Sequence, residues 1–432
     1  MRTSLTITIN NTDQYKKQLL QWAQQFREVV FLDSNKYYQQ YTSYDAVLAV
    51  DAFTSIKTDY HNAFEELKIY QQTTKDWLFG YLSYDLKNNT ENLHSNNFDG
   101  LGFPDLFFFQ PKKLFLLKGN QLEVHYLAMC DDEIEEDLDL IMNYELSIDL
   151  SIDNQQSLTI EQRISQESYL EKAGQMLAHI HRGDIYEANF CMEFYAEDAQ
   201  INPLLMYEKL NAISEPPFAV FFKNYKQYLL SASPERYIRK EGDKIISQPI
   251  KGTARRSYDA VEDKAIQKEL SLNEKERSEN IMIVDLVRND LSRTASKGSV
   301  QVEELCGAYA FKQVHHLIST VVSKVEEGTS PVDVIRTTFP MGSMTGAPKI
   351  SAMQIIEKLE ETKRGLYSGA VGYFTPDGDF DFNVVIRSIL YNEQNKYVSF
   401  SVGSAITSKA IPELEYEECL LKARAMRSVL EN

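Results

Sequence analysis

The chain is poor in cysteine, in positive charge and in long apolar runs. Its 432 residues include four cysteines, without a CxxC motif, which argues against a disulfide framework and a structural zinc site. Lys and Arg number 45 against 63 Asp and Glu, and the net charge of −18 disfavours binding to nucleic acid or anionic membranes. No uncharged apolar run reaches about 18 residues and no signal peptide is recognisable, so we expect a cytoplasmic protein.

What the chain does contain is the composition of a globular protein, 43% hydrophobic and 25% charged residues. Strand-like and helix-like segments alternate in mixed blocks without a strict βαβα order, which predicts an α+β fold built on large antiparallel sheets. The helices are predicted near 165–181, 259–271, 275–289, 307–326, 331–338 and 348–360, with a last one from Pro412.

A very acidic segment, 131–153, reads as a solvated helix or linker. It suggests a division into an N-terminal region, 1–155, and a catalytic region, 156–432. We expect both regions to contribute to one interlaced α+β body with a shared core.

Two pairs of glutamates could bind a cation. Glu276 and Glu279 are three residues apart, so on a helix they share one face. Glu415 and Glu418 repeat this spacing on the last helix, with Lys422 one turn further. Two such faces brought together would suit Mg²⁺, which prefers hard oxygen ligands. Spacing alone leaves open that both are solvated faces of an acidic protein.

Two further residues could carry covalent or proton-transfer chemistry. Lys251, in QPIKGTARR, is either an exposed lysine in a glycine-containing turn or a nucleophile. Glu235, in SASPERY, is either a turn residue or a general acid with a raised pKa.

Other segments suggest contacts with an anion. Arg387 is a charge in the apolar strand-like run VVIRSIL, where it would pair with a substrate carboxylate or form a structural salt bridge. The loop 340–350, PMGSMTGAPKI, offers backbone N–H groups at a helix start. His316 lies on a predicted helix, where a structural histidine is the commoner outcome.

Taken together and in order, these segments resemble the chorismate-utilising enzymes, which include anthranilate, aminodeoxychorismate, isochorismate and salicylate synthases. The matching elements span residues 181–425 and include HRGDIYEANF, SASPER, QPIKGT, GSMTGAPK and PELEYEECLLKARA. Lys251 replaces the alanine of anthranilate synthases, and Asn280 replaces their usual histidine. The acidic Glu187 disfavours the isochorismate and salicylate enzymes, which have a lysine there. The resemblance therefore favours the aminodeoxychorismate synthase branch, with anthranilate synthase as the alternative.

The resemblance implies a magnesium-dependent reaction of chorismate. Glu279 and Glu418 would ligate Mg²⁺, and the ion would hold the ring carboxylate. Glu276 and Glu415 would lie in or near its shell. The resemblance assigns the remaining substrate contacts to Tyr367, Arg387, Gly403, His316, Gly252, Thr253 and Lys422.

The implied chemistry is a double displacement. Lys251 would attack C2 as the C4 hydroxyl leaves with the help of Glu235, and ammonia would then add at C4 and expel the lysine. The product would be 4-amino-4-deoxychorismate, a precursor of 4-aminobenzoate and folate. No amidotransferase domain is recognisable, so ammonia would come from solution or from a separate glutaminase subunit.

Some positions depart from the family pattern. Glu187 stands where the family has glutamine, Ala405 where it has glycine, and Lys409-Ala410 where it usually has Asp-Ser. These departures concern the contacts with the substrate carboxylates. Ser34 and the YTSYD segment, 41–45, are compatible with an amino-acid pocket. A different class of function, a non-catalytic chorismate or amino-acid binding regulator, would not need the complete set of functional groups.

Overall fold

The computed structural model describes residues 1–37, 40–145, 158–312 and 314–431. These residues form eleven α-helices and twenty strands. The helices are α1 Thr12–Ala23, α2 Ala63–Thr74, α3 Lys87–Thr90, α4 Ile134–Met142, α5 Gln166–Arg182, α6 Pro203–Ser214, α7 Ala260–Leu272, α8 Glu274–Ser292, α9 Pro331–Thr338, α10 Lys349–Leu359 and α11 Pro412–Glu431.

The strands are β1 Arg2–Thr8, β2 Glu28–Asp33, β3 Ala46–Thr58, β4 Leu78–Leu82, β5 Leu106–Lys118, β6 Gln121–Leu127, β7 Glu161–Gln162, β8 Glu187–Ala196, β9 Phe218–Asn224, β10 Gln227–Ser233, β11 Arg236–Glu241, β12 Lys244–Gln248, β13 Ile250–Arg255, β14 Gln301–Ala310, β15 Val314–Lys324, β16 Gly346–Ala347, β17 Ala370–Phe374, β18 Phe380–Val384, β19 Ser388–Asn392 and β20 Tyr397–Thr407. No helix in the described ranges is long and apolar enough to cross a membrane.

Every named strand pair is antiparallel, and the pairings join both halves of the chain. Strand β2 pairs with β3 on one side and with β9 on the other, and β4 pairs with both β5 and β17. The predicted α+β fold with large antiparallel sheets is therefore confirmed. The predicted boundary between residues 155 and 156 lies outside the described residues, so the division into two regions stays a prediction.

The strands separate two hydrophobic cores. In β3, Val47 and Ala49 belong to one core, while Leu48 and Val50 between them belong to the other, as the alternation of side chains along a strand requires. The core that holds Leu48 and Val50 also takes the apolar faces of α1, α4, α5, α6, α10 and α11. The helices that carry the acidic faces are positioned by this packing, because α11 packs against β20 while α8 packs against β13 and β15.

Local capping residues mark the ends of α5 and the start of α11. The Ser165 side chain caps α5 by accepting from the N–H of Ser168, and Gly183 ends the helix at a φ of +87°. Helix α11 begins at Pro412, where a proline loses no helical hydrogen bond. The acidic segment contributes α4, whose Ile134 and Ile141 are buried, and its residues 146–153 lie outside the described ranges.

The helix predicted at 307–326 is wrong, and with it the helical placement of His316. The segment forms the end of β14 and the whole of β15. Strand β15 pairs with β12, β13 and β14, and residues on both of its faces are buried, including the polar His315, His316 and Ser319. Its sequence therefore lacks the alternation of apolar and polar residues that marks a half-exposed strand.

Arg387 is also placed differently from the prediction. It lies in a bend between β18 and β19 rather than within a strand, at a φ of +53°. A positive φ is uncommon for a residue with a side chain, and such conformations occur at functional sites.

A buried ion pair fixes the region between β8 and α10. The Arg364 guanidinium donates to both carboxylate oxygens of Glu360, at 2.9 and 2.6 Å, and to the carbonyl oxygens of Met344 and Asn189. One of the Glu360 oxygens also accepts from the backbone N–H of Cys191 at 2.8 Å. The pair therefore holds β8 to the loop that precedes β16.

We expect Arg364→Ala to lower the free energy of unfolding by about 3–5 kcal/mol, because it leaves Glu360 charged, buried and without its cation. Urea denaturation followed by circular dichroism measures this change. Arg182→Ala is the control, since the Arg182 side chain is 64% exposed and its pairing with Asp184 is screened by solvent, so its loss should change the stability little. Equal losses in the two variants would contradict the structural role of the buried pair.

Candidate active site

Lys251 lies where β13 departs from regular pairing. The register between β13 and β15 shifts between Ile250 and Thr253, so Lys251 belongs to a strand irregularity rather than to an exposed turn. Its side chain is only 19% exposed, and its Nζ lies 3.6 Å from Oε1 of Glu187. The lysine at this irregularity is therefore mostly buried beside Glu187 rather than exposed to solvent.

Asn280 holds the backbone of this irregular strand. Its side-chain amide donates to the carbonyl oxygens of Lys251 at 3.1 Å and of Leu317 at 3.3 Å, which ties α8 to β13 and β15. The Ser319 hydroxyl donates to Oδ1 of Asn280 at 2.5 Å. The sequence motifs distinguished Asn280 from the usual histidine of anthranilate synthases, but they did not predict that this residue orients the backbone of Lys251.

The acidic faces of α8 and α11 meet at this cleft. The Nζ of Lys275 lies 3.9 Å from Glu279 on its own helix and 3.8 Å from Glu415 on α11. Glu276 is repelled by both Glu415 and Glu418, which places all four carboxylates in one electrostatic field. The structure thus brings together the two glutamate pairs that the spacing had singled out.

The cleft shifts the pKa of its acidic groups. Burial raises the pKa of Glu279 to about 7 and also raises that of Glu276. Burial acts in the same direction on Glu418, but the Lys422 ammonium at 2.6 Å outweighs it and lowers the pKa of Glu418. The raised pKa values of Glu279 and Glu276 show that burial makes the charged form of these carboxyl groups costly.

Lys251 experiences the opposite effect. Burial alone would lower its pKa, but the surrounding carboxylates reverse this effect and raise the pKa above the ordinary lysine value. The responsible groups, in order of decreasing effect, are Glu187, Glu279, Glu418 and Glu415. Lys251 is therefore an ammonium ion at neutral pH, and it must lose a proton before it can act as a nucleophile.

The donor chemistry of the cleft fits a hard divalent cation. Within the described ranges, no three His, Cys, Asp or Glu side chains already lie close enough together to hold a metal ion. Carboxylate oxygens are nevertheless the ligands that Mg²⁺ prefers, and the Lys275 ammonium lies between Glu279 and Glu415, where positive charge is stabilised. The assignment of Glu276, Glu279, Glu415 and Glu418 to a metal stays a prediction.

Glu235 lies between β10 and β11 and is 4% exposed. Burial raises its pKa to about 7, while a hydrogen bond with Ser343, the backbone of Ile250 and the charge of Lys251 act in the opposite direction. At neutral pH about half of this group carries a proton, as a general acid requires. Ser343 belongs to the loop 340–350, which the sequence predicted to bind an anion through its backbone. Its contact with Glu235 was not predicted.

A neutral histidine lines the neighbouring wall. The Nδ1 of His316 lies 3.0 Å from Oγ1 of Thr253 and 3.3 Å from the carbonyl oxygen of Gly252. Burial lowers the pKa of His316 to about 3, assisted by the positive charge of Arg387. Gly252 adopts a φ of +100°, and a Cβ at this position would approach Oε2 of Glu276 to 3.1 Å.

Two positive groups, Arg387 and Lys422, also belong to the predicted site. Among the described residues, no carboxylate lies within ion-pairing distance of the Arg387 guanidinium, whose pKa is lowered by burial and raised by Tyr367 and Glu418. The Tyr367 hydroxyl lies 3.8 Å from Sγ of Cys191. The ammonium of Lys422 donates to the carbonyl oxygen of Gly403 at 2.8 Å. The structural salt bridge considered for Arg387 is therefore not formed.

The positions that depart from the family pattern differ in their relation to the cleft. Glu187 is buried beside Lys251. Ala405 lies within β20 and pairs with Asn189, whereas Lys409 is exposed beyond the end of that strand. Of these residues, Glu187 is the one whose side chain contacts a predicted catalytic group.

A second cavity lies away from Lys251, at the junction of β2, β3, β9 and β18. Ser34 and residues 42–45 line it, together with Phe218 and the Arg236–Asp381 ion pair. The structure thus places Ser34 and most of the YTSYD segment on one cavity. The amino-acid ligand considered for this place stays a prediction.

The amino-acid sequence of the chain matches a known family model. Residues 13–428 match the model of the chorismate binding enzymes, which is nearly the entire chain. The chain belongs to the chorismate-binding enzymes. It is therefore a chorismate-utilising enzyme, and this family assignment agrees with the resemblance seen in the motifs.

Relatives with different activities lie at similar distances. The chain is 34% identical to the anthranilate synthase component 1 of Thermus thermophilus, over 82% of this chain and 77% of that protein. It is 31% identical to the aminodeoxychorismate synthase component 1 of Bacillus subtilis, over 82% and 76%. The crystal structure of anthranilate synthase component I from Streptococcus pneumoniae superposes with a TM-score of 0.77 at 25% identity, covering 90% of this chain and 94% of that one. Identity alone therefore does not choose between the two activities.

Because the pKa of His316 is lowered, we expect the free energy of unfolding to depend on pH. Its folded pKa of about 3 lies below the unfolded value of about 6.5, so between these values only the unfolded chain binds this proton. Stability is therefore lost as the pH falls through this window, with a slope of about 1.4 kcal/mol per pH unit from this residue. We expect His316→Asn to remove this slope in urea titrations from pH 6.5 to 4. His181→Asn, at an exposed position, is the control and should leave the slope unchanged.

Proposed function

We propose that this enzyme is aminodeoxychorismate synthase component I, which converts chorismate and ammonia to 4-amino-4-deoxychorismate. The observation that carries the proposal is the position of Lys251, a partly buried lysine among four carboxylates that faces the cleft of a chorismate-binding fold. A lysine at this position can supply a covalent nucleophile. The alanine of anthranilate synthases cannot.

The charges of the cleft support binding of a dicarboxylate. Arg387 is influenced by Tyr367 and Glu418, and its guanidinium lacks a carboxylate partner among the described residues, so it is available for the enolpyruvyl carboxylate. Of the four glutamates on α8 and α11, Glu279 and Glu418 would hold Mg²⁺ with Glu276 and Glu415 near its shell. When bound, the ion supplies a positive charge that neutralises the ring carboxylate and these glutamates.

In the first displacement Lys251 acts as the nucleophile and Glu235 as the general acid. The amine of Lys251 forms a bond to C2 while the ring double bond shifts and the C4–O bond breaks. Glu235, protonated at its raised pKa, gives its proton to the departing hydroxyl, which leaves as water. The covalent intermediate splits one difficult substitution into two easier ones.

Ammonia completes the reaction. It adds at C4, the double bond shifts back, and the C2–N bond to Lys251 breaks. The new C4 ammonium returns a proton to Glu235. We propose a glutamine amidotransferase subunit as the source of ammonia, and 4-aminobenzoate and folate synthesis as the metabolic context.

Anthranilate synthase component I is the second candidate, because the Thermus thermophilus relative bears that name at 34% identity. That reaction also adds ammonia to chorismate, but at C2 and with loss of pyruvate. The two candidates therefore differ in their product and in whether Lys251 is required.

Incubation of the purified chain with chorismate, Mg²⁺ and ammonium tests the proposal. We expect 4-aminobenzoate only after addition of an aminodeoxychorismate lyase, and no turnover by Lys251→Ala, together with a substrate-derived mass increase on Lys251 in the wild type. Lys264→Ala, on the neighbouring helix α7, is the matched control and should retain full activity. Fluorescent anthranilate formed without the lyase would contradict the proposed function.

The raised pKa of Glu235 predicts the pH profile of the first displacement. A general acid works only while it is protonated, so the rate should fall about tenfold per pH unit above about pH 7. Glu235→Gln should lower kcat by about 10²–10⁴-fold and remove this decline. Stopped-flow or quench measurements from pH 6 to 9 test both statements. Glu241→Gln, an exposed position on the same strand, should behave like the wild type.

The proposed metal site predicts a change in thermal stability. A ligand that binds only the folded enzyme raises its Tm. We therefore expect Mg²⁺ to raise the Tm of the wild type, and Glu279→Gln or Glu418→Gln to abolish the rise. Glu274→Gln, exposed on α8, should preserve it. An unchanged response of the Glu279 and Glu418 variants would exclude these residues as ligands.

A further inference from the structure

Glu187 is a buried carboxylate with one oxygen that lacks a partner among the described residues. Its side chain is 3% exposed, its Oε1 lies 3.6 Å from Nζ of Lys251, and its Oε2 has no hydrogen-bond partner in the part of the chain that the structure describes. Burial of an unpaired carboxylate oxygen costs free energy that a structural ion pair would avoid. The reaction proposed above assigns no role to this residue.

Comparison with Glu193 shows what a structural glutamate on the same strand looks like. Glu193 is also buried on β8, and both of its oxygens are occupied. Oε1 accepts from the Tyr397 hydroxyl at 3.0 Å, and Oε2 accepts from Nε of Arg163 at 3.2 Å. Across the described ranges, the Glu187 carboxylate forms an ion pair with the predicted nucleophile alone, so its environment suits a group whose protonation changes during turnover.

Lys251 needs such a partner because it rests as an ammonium ion. The other charged groups that face it are Glu276 and Glu279 on α8, Glu415 and Glu418 on α11, and Glu235 before β11. The four glutamates of α8 and α11 are the proposed metal ligands or their neighbours, and Glu235 must retain its own proton for the leaving hydroxyl. Glu187 remains as the acceptor, and it is also the carboxylate that forms an ion pair with Nζ.

We propose that Glu187 accepts the ammonium proton of Lys251 inside the closed site and returns it when the amine is released. This role rests on the proposed function. It makes Glu187 a catalytic residue that acts on the reacting nitrogen, at a position where the family pattern has an uncharged glutamine.

The proton balance closes over one cycle. Transfer within the pair converts the ammonium and the carboxylate to a neutral amine and a carboxylic acid, and the amine then attacks C2. After ammonia has added at C4, the C2–N bond breaks and the electron pair returns to Nζ. The amine then takes back the proton from Glu187. Transfer inside the cleft exchanges no proton with solvent, and neutralising both groups lowers the electrostatic cost of enclosing the substrate.

Glu187→Gln tests this role because it keeps the shape of the side chain and removes the proton acceptor. We expect kcat to fall by about 100-fold while the KM for chorismate changes little, since the loss affects a proton transfer and not binding. Glu193→Gln is the matched control, a buried glutamate of the same strand, and should keep its kcat although it loses stability. A Glu187→Gln variant that turns over like the wild type would overturn the proposal.

The protonation of Lys251 gives a readout that does not depend on turnover. Trace acetylation with acetic anhydride at a series of pH values, followed by mass spectrometry, measures the pKa of this lysine in each variant. We expect the pKa to fall in Glu187→Gln, because the nearest carboxylate charge is lost. Slower turnover by an amine that deprotonates more easily identifies a missing acceptor. An unchanged pKa would show that Glu187 does not act on Lys251.

Two further variants keep the test valid if the glutamine variant does not fold. Glu187→Asp retains an acceptor and should exceed Glu187→Ala in kcat, and added acetate should partly restore the alanine variant. Equal rates for Asp and Ala without any effect of acetate would contradict the role. A wild type that forms no 4-amino-4-deoxychorismate contradicts the proposed function itself, whereas full activity of the Glu187 variants beside a productive wild type contradicts only the role of Glu187.

Discussion

The balance of charge around Lys251 is the interaction on which the site depends. One ammonium ion faces the carboxylates of Glu187, Glu279, Glu418 and Glu415, in a cleft where burial weakens the stabilisation of charge by water. Burial in the same cleft raises the pKa values of Glu279 and Glu235, and the charge of Lys251 opposes this rise. A substrate or cation that enters the cleft therefore changes the protonation of several groups at once.

The fold creates this balance by bringing together strands that lie far apart in the chain. Pairing of β8 with β20 positions Glu187 on the same sheet as Gly403, and α8 and α11 bring their glutamates to the cleft from different cores. Asn280 fixes the backbone of Lys251 through a hydrogen bond. The net charge of −18 describes the whole chain, whereas the Arg387 end of the cleft is locally positive.

Much of the fold could be predicted from local patterns, and the errors have a physical cause. The residues at the ends of α5 and the proline at the start of α11 are local signals, which suffice to predict these two helices. Strand β15 was predicted as a helix, because a strand that is buried on both faces does not show the alternation of apolar and polar residues expected of a half-exposed strand. Arg387 was placed in a strand because the bend that it occupies has no glycine or proline to mark it.

The sequence by itself determined the family and the α+β class and suggested candidate residues for the site, because motif order and residue type are properties of the chain. Only the tertiary structure decided which groups face one another. The contact between Glu187 and Lys251 joins residues 64 positions apart, and the hydrogen bond of Glu235 with Ser343 joins different loops. The protonation states follow from burial and from these distances, and neither quantity is encoded in local sequence.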